Sequence, residues 1–298
     1  ATHLPWRTVW ASQVRSGVVP LWDPTSNQGR LLLANPNTMA AYPGTLLFAL
    51  LPPEIAEVFH IALHHLLFIA GLYTLCRRTG ASPGGAAIAA ATVGGGGVAW
   101  SAATFLNVLA ALALSPWVLA VAAAHPAGSA VARRRAVGSG ALLGVVFLAG
   151  EPVLAGLAGL TWVACIASHW PRRLWPWALL AVPAAVAVAA PVLVPLLWNY
   201  ADTVRGTLGC PPGALGADTL APRRLLELVL PGVLGAPMGD AGSGFWAASS
   251  FPWQRYYPTV FVGSLTFVLL PWAWAARRGL AGWWLVLTST ASMALVLG

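Results

Sequence analysis

The residues best suited to chemistry stand in one turn-rich segment, residues 20–43, ahead of a long series of apolar segments. Its prolines and Gly29 rule out a continuous helix, and its aspartate and asparagines close turns with their own side chains. The groups that grip a sugar or a phosphate are all present here: Trp22, Asp23, Arg30 and Asn35. The segment therefore predicts a binding loop, with an ordinary structured connector as the alternative.

A second candidate set follows at helical spacing in the next apolar segment. Glu57, His60 and His64 recur at i, i+3 and i+7, which places them on one helical face. Ionisable groups inside a membrane segment are costly to bury and usually functional. We expect these three side chains to line a polar cavity that contacts substrate. The two histidines would also suit a metal ion at i, i+4 spacing, but no metal site and no other cofactor is predicted.

Glu151 is a candidate catalytic carboxylate, together with Asp23, and stands at the turn between two short apolar segments. About 15 helical residues span roughly 22 Å, against a hydrocarbon core near 30 Å, so the turn is expected to be recessed. A carboxylate that faces lipid would cost a few kcal/mol, so Glu151 is expected to face protein, water or an arginine. The alternatives to a substrate role are a structural ion pair and an exposed turn.

The composition is that of an integral membrane protein. Over 298 residues, 58% are hydrophobic and 8% are charged, with a mean hydropathy of +0.74, whereas about a quarter of a soluble domain is charged. The net charge of +8 comes from arginines, mostly in short groups between apolar segments, which indicates membrane topology and excludes a nucleic-acid-binding surface. The three cysteines have no CxxC spacing, so neither a disulfide framework nor a zinc site is predicted.

Eight apolar segments approach the length of about 20 residues that a membrane-spanning helix needs. They are 54–76, 83–100, 105–124, 137–150, 152–169, 174–198, 258–276 and 280–298, of which the fourth and fifth are short. An interfacial helix over 4–16 precedes them, with Trp6, Val9, Trp10 and Val14 on one face and the arginines elsewhere. The predicted fold is an all-α membrane protein in four parts: an outer loop 1–53, a core 54–198, an outer loop 199–257 and two further spans 258–298.

Arginine decides the predicted orientation. Arginines follow the first, third, fifth and seventh segments, so every second connection is basic and is assigned to the cytoplasm. This assignment places all the acidic residues on or near the outer face, although acids were not used to make it. Both long loops then lie outside, and we expect the chemistry there.

A run of four glycines, Gly94 to Gly97, interrupts the second segment near its outer end. Such a run either allows close packing of helices or breaks the helix beside a cavity. Close packing is the favoured interpretation.

The order of motifs resembles that of the YfhO-like bacterial membrane proteins of the GT-C glycosyltransferase superfamily, over nearly the whole chain. The matching motifs are PLWDP with LLANP and YP in residues 20–43, His64-His65 with Gly71 and Tyr73, Arg78-Thr-Gly80-Ala-Ser82, Asn107 before Ser115-Pro116-Trp117, Gly150-Glu151-Pro152, and Arg223-Arg224 with Glu227 and Pro231. Each motif is short, and their shared order carries the likeness. In one position the chain departs from the family, which usually has Asn where this chain has Asp23.

The resemblance implies a GT-C-like bundle that transfers a sugar from a polyprenyl-phosphate donor to a cell-envelope acceptor, at the outer face of the bacterial inner membrane. It adds Asn107 to the substrate-binding candidates, and Arg223, Arg224 and Arg255 are outer-face cations that would hold a phosphate. It also implies that the principal catalytic base lies ahead of Ala1, because an amide at the Asp23 position is no base. The alternatives are a transporter or flippase of a lipid-linked saccharide and a non-catalytic scaffold.

Overall fold

The computed structural model describes residues 4–25 and 29–203, together with six isolated positions between 206 and 233. The last two predicted spans, 258–276 and 280–298, lie outside the described residues, as do the phosphate-binding candidates Arg223, Arg224 and Arg255.

The described part is mostly helical. Its only strands form a two-stranded antiparallel hairpin, β1 Trp22–Asp23 with β2 Arg30–Leu31, in which Trp22 pairs with Leu31. The helices are α1 Leu4–Arg15, α2 Leu46–Leu50, α3 Pro53–Arg78, α4 Pro83–Gly94, α5 Gly97–Ala102, α6 Leu106–Ala123, α7 Ser129–Leu148, α8 Pro152–His169, α9 Trp175–Ala178 and α10 Ala181–Trp198. The all-α expectation is therefore confirmed for this part of the chain.

Four helical stretches among the described residues are long and apolar enough to cross a membrane. They are Pro53–Arg78, Leu106–Ala123, Pro152–His169 and Arg172–Trp198, and each coincides with a predicted span. The chain is thus a membrane-embedded helical protein. Eight spans stay a prediction.

The fourth predicted segment differs from the structure at its start. It was expected over 137–150, but α7 begins at Ser129 and runs for 20 residues through the arginine triplet. Arginine is a good helix former, so the helix continues where the apolar pattern has not yet begun. α7 is therefore longer than expected, and the recessed position of the Glu151 turn in the membrane stays a prediction.

The second predicted segment is divided by its glycines. Gly95 is the C-cap of α4 and Gly96 is the N-cap of α5, so the helix breaks at this point. Gly94 also packs closely, since a Cβ there would lie 2.4 Å from Cγ1 of Ile69 in α3. The favoured interpretation, close packing, therefore applies to Gly94, and the helix also breaks at the next two glycines.

Helix α6 lies at the centre of the bundle, where it packs against α3, α7 and α8. In its most apolar stretch 61% of the residues are buried, against 17 to 28% in the other three candidate spans. Short connections join α6 to α7 and α7 to α8, which makes them antiparallel neighbours. The first residues of α6 and the turn between α7 and α8 therefore meet at one end of the bundle, which is called the Glu151 end below.

Candidate functional site

The chain before α3 packs against the Glu151 end of the bundle, and side-chain hydrogen bonds to backbone carbonyls hold its own parts together. The Trp10 indole donates to the carbonyl of Ala40 at 2.9 Å. The Arg15 guanidinium donates to the carbonyls of Phe48, Ala49 and Leu51, where α2 ends and leaves those groups without helical partners. Residues 20–25 and 29–53, which contain the predicted loop, are therefore ordered and are called the cover below.

Glu151 meets Asn107 in this region. The Nδ2 group of Asn107, in the first turn of α6, donates to Oε1 of Glu151 at 2.7 Å. The same nitrogen lies 3.4 Å from Oδ1 of Asn37 in the cover and 3.5 Å from the carbonyl oxygen of Gly150. Two predicted site residues, Glu151 and Asn107, are therefore in direct contact, and a cover residue joins them.

A glycine makes this contact possible. Gly150 has a φ of +97°, and a Cβ at this position would lie 2.5 Å from the carbonyl oxygen of Pro36 and 3.2 Å from Cβ of Asn107. Only glycine combines that backbone conformation with so close an approach. The cover thus lies directly on the turn that presents Glu151.

The burial of Glu151 changes its chemistry. Its side chain is half-buried, and burial raises the pKa of the carboxyl above its ordinary value. The cover and α6 contribute to this burial, because Pro36 of the cover and Asn107 of α6 lie against the Gly150–Glu151 turn. A carboxylate with a raised pKa binds a proton more strongly, which makes it a better general base while it stays ionised.

A second polar cluster joins the cover to α3. The Nδ1 group of His64 lies 2.6 Å from the carbonyl oxygen of His60, and Nε2 lies 2.6 Å from the hydroxyl of Tyr42. Because a carbonyl only accepts, Nδ1 carries the proton, and Nε2 accepts the Tyr42 O–H. Burial raises the pKa of Tyr42, so the hydroxyl stays protonated and able to donate.

His60 stacks on His64, with ring centroids 3.9 Å apart, and both rings are fully buried. Among the described residues, neither ring nitrogen of His60 forms a hydrogen bond of ordinary geometry, although backbone groups of Gly44 and Leu106 lie close to the ring. Both nitrogens of His64 are engaged, so it has no lone pair for a metal in this arrangement. The structure places both histidines in a packed contact beneath Tyr42, and their predicted contact with substrate stays a prediction.

Arg7 belongs to this cluster, contrary to the expectation that the arginines of α1 lie away from its packed face. It is fully buried, its Nη2 donates to Sδ of Met39 at 2.7 Å, and its guanidinium lies 5.4 Å from the Phe48 ring centre. It also lies within electrostatic range of Glu57, which is half-buried. Burial lowers the pKa of Arg7 to about 10.

The sequence contained a signal for this burial. Arg7 lies three and four residues before Trp10 and Ala11, the other buried residues of α1, and therefore shares their face. The apolar pattern hid it, because an arginine was assumed to face water. Tyr42 and Met39 were missed for a different reason, since nothing in their spacing marks them.

Asp23 lies apart from Glu151 in the described contacts and closes a turn. Its side chain is fully buried, and Oδ1 accepts hydrogen bonds from the backbone N–H of Thr25 at 2.8 Å and from its hydroxyl at 2.6 Å. Asn35 similarly caps the 3-10 turn Pro36–Thr38 by accepting from the N–H of Asn37. Both residues shape the cover.

The remaining loop candidates lie at the surface of the cover. Trp22 is 47% exposed, and its indole fills the space where a Cβ on Gly29 would stand. The guanidinium of Arg30 lies 4.6 Å from the ring centre of Trp6. These two side chains are accessible at the same hairpin, as the binding-loop prediction requires.

No protein-family model, curated protein or solved structure matches this chain. The resemblance to YfhO-like proteins therefore stays a hypothesis that rests on the motifs quoted above. Within residues 4–25 and 29–203, no group of three or more His, Cys, Asp or Glu side chains is arranged to hold a metal ion.

Proposed function

We propose that this chain is the core of a membrane glycosyltransferase, which transfers a sugar from a polyprenyl-phosphate donor to a cell-envelope acceptor at the outer face of the inner membrane. The observation that most supports the proposal is Glu151, a half-buried carboxyl with a raised pKa, held by Asn107 under an ordered cover. Perturbed carboxyls of this kind mark functional sites. The order of the sequence motifs is the basis for proposing a polyprenyl-phosphate-linked sugar as the donor.

In the proposed reaction the acceptor hydroxyl attacks the anomeric carbon of the donor sugar. A bond forms between the acceptor oxygen and that carbon, the bond from the carbon to the phosphate oxygen breaks, and polyprenyl phosphate leaves with the electron pair. Glu151 takes the hydroxyl proton as general base. Attack opposite the leaving group inverts the configuration of the sugar.

The departing phosphate needs a cation, and Arg30 is the candidate among the described residues. A guanidinium that lies over an aromatic ring keeps N–H donors in its own plane for an anion. Arg30 lies over Trp6 in this way. The other proposed cations, Arg223, Arg224 and Arg255, lie outside the described residues.

The test is Glu151→Gln in the full-length protein, reconstituted with undecaprenyl phosphate that carries radiolabelled glucose, mannose or galactose. Release of undecaprenyl phosphate in the presence of isolated envelope glycan is measured. Glutamine retains an oxygen for the Asn107 hydrogen bond but cannot take a proton, so we expect the rate to fall by about 10²–10⁴-fold with little change in thermal unfolding.

The matched control is Glu54→Gln, an exposed carboxylate in the first turn of α3. It should keep full activity. A Glu151→Gln variant with nearly unchanged rate would overturn the assignment of Glu151 as the base. Failure of the unaltered protein to use any of the three donors would count against sugar transfer from this carrier.

A further inference from the structure

Asn107 has an unusual place for an amide side chain, near the start of the most buried apolar helix. We propose that Asn107 is a positioning residue, which fixes the Glu151 carboxyl in place for the transfer step instead of contacting substrate itself. This inference rests on the proposed function of Glu151. The evidence is the geometry of the amide and, among the described residues, the lack of a charged side chain that shifts the pKa of Glu151.

The donor end of the Asn107 amide faces acceptors only. Its Nδ2 is within 3.5 Å of three oxygens, one in the cover and two in the turn between α7 and α8, and the shortest of these distances, 2.7 Å, is to Oε1 of Glu151. The carbonyl oxygen of Gly150 can only accept a hydrogen bond, so the end of the amide that lies 3.5 Å from it is the Nδ2 donor. The contacts therefore fix which end of the amide donates and direct its strongest hydrogen bond to the carboxyl.

The oxygen end of the Asn107 amide is unfavourable to bury. Asn107 is 3% exposed, and its Oδ1 is buried without a hydrogen-bond partner. Leaving a buried acceptor unsatisfied destabilises the folded state. Alanine in this apolar helix would avoid that cost, so folding alone does not account for an asparagine. The hydrogen bond that Asn107 donates to Glu151 accounts for the asparagine at this position.

In the described contacts around the Glu151 carboxyl, Asn107 is the residue that donates a hydrogen bond to it. α6 presents the amide of Asn107, the cover presents the amide of Asn37, and the turn presents the carbonyl of Gly150. Burial raises the pKa of Glu151, and no charged side chain of the described residues contributes to that shift. An N–H donor favours the ionised form of a carboxyl, so Asn107 limits the rise that burial causes.

The experiment measures the pKa of Glu151 directly, by infrared titration of the carboxyl stretch in the full-length protein. The band that disappears in Glu151→Gln belongs to this residue. In Asn107→Ala we expect its pKa to rise by about one to two pH units, the range for loss of a hydrogen bond to a charged group. Asn107→Asp, which keeps the volume and loses the donors, should raise it at least as far because a second carboxylate then stands beside the first.

Activity gives the second readout. The acid limb of the pH profile of kcat/KM should move upward by the same amount in Asn107→Ala, with KM for the donor unchanged. The control is Asn199→Ala, which removes an amide that donates to the carbonyl of Pro195 at the end of α10. It should leave both the infrared band and the profile in place.

The outcomes separate the two proposals. If Asn107→Ala and Asn107→Asp lower the melting temperature but the Glu151 band titrates at its original pH, Asn107 is merely structural and the inference is overturned. A raised KM for substrate with no change in either pH readout would also overturn it, in favour of substrate contact. If Glu151→Gln stays active while the band still shifts in the Asn107 variants, the proposed catalytic role fails and the pairing stands.

Discussion

Asp23 illustrates at the residue scale how a polar group with catalytic chemistry serves structure. Its carboxylate is fully buried, and one oxygen accepts both hydrogen bonds from Thr25. Glu151 is less buried and is held through one oxygen by Asn107. Of the two predicted acidic candidates, Glu151 therefore has the better placement for a proton transfer.

The prediction at this scale concerns Asp23→Asn. An amide oxygen accepts the same two hydrogen bonds, so we expect the free energy of unfolding to change by less than about 1 kcal/mol and sugar transfer to stay within a few-fold. Asp23→Ala, which removes the acceptor, should destabilise the cover by about 1–3 kcal/mol. Thermal unfolding and donor turnover check both variants. A loss of several orders of magnitude in a folded Asp23→Asn protein would identify Asp23 as the base.

At the scale of elements, glycines decide how closely the helices approach. A Cβ on Gly140 of α7 would lie 2.2 Å from the carbonyl oxygen of Ala181 in α10, and one on Gly144 would lie 2.7 Å from that of Ala185. Small residues let helix backbones approach in this way inside membranes. The contact between α7 and α10 supports the helix that leads into the Glu151 turn.

Gly140→Ala should consequently separate α7 from α10, because the obstructing atoms belong to the backbone and cannot rotate away. We expect a loss of about 1–3 kcal/mol in the free energy of unfolding, the usual cost of overpacking, measured by thermal or denaturant unfolding in detergent. Gly138→Ala is the matched control on the same helix, since its Cβ would meet only Val121 at 3.9 Å. Equal stability of the two variants would contradict the close approach.

In the whole molecule, the arginines at the end of α3 and near the start of α7 lie at the end of the bundle opposite to Glu151. Arg78 and Arg135 lie within electrostatic range of each other, as expected if the ends of α3 and α7 that carry arginines lie together. Glu151 and the Asn107 end of α6 form the opposite end. Arginine near spans favours the cytoplasmic side, so the Glu151 end is predicted to face outward.

Cysteine labelling tests this orientation in intact cells, in a protein whose native cysteines are replaced by alanine. Ser16→Cys follows α1 and Ser129→Cys begins α7, and both positions are exposed. We expect an impermeant thiol reagent to label the first from outside and the second only after permeabilisation. The reverse pattern would place the Glu151 end in the cytoplasm and remove the basis for an outward-facing site.

The sequence by itself determined the membrane class, the four confirmed helical stretches and the turn-rich cover. These features are local, because a run of apolar residues or a cluster of proline, glycine and asparagine acts through neighbours in the chain. The full length of α7 could not be predicted in this way, because hydropathy identifies the apolar part of a helix and not the residue at which the helix begins. The burial of Arg7 escaped for a related reason, since its partners lie outside α1.

Only the tertiary structure decided which polar groups meet. Asn107 and Glu151 are 44 positions apart, Tyr42 and His64 are 22 apart, and Arg7 and Met39 are 32 apart. No periodicity connects residues at such separations, and each was plausible alone as a surface group or a site residue. Buried polar groups are nearly always hydrogen-bonded. The packing of the cover on α3, α6 and the α7–α8 turn determines which hydrogen-bond partners are close enough.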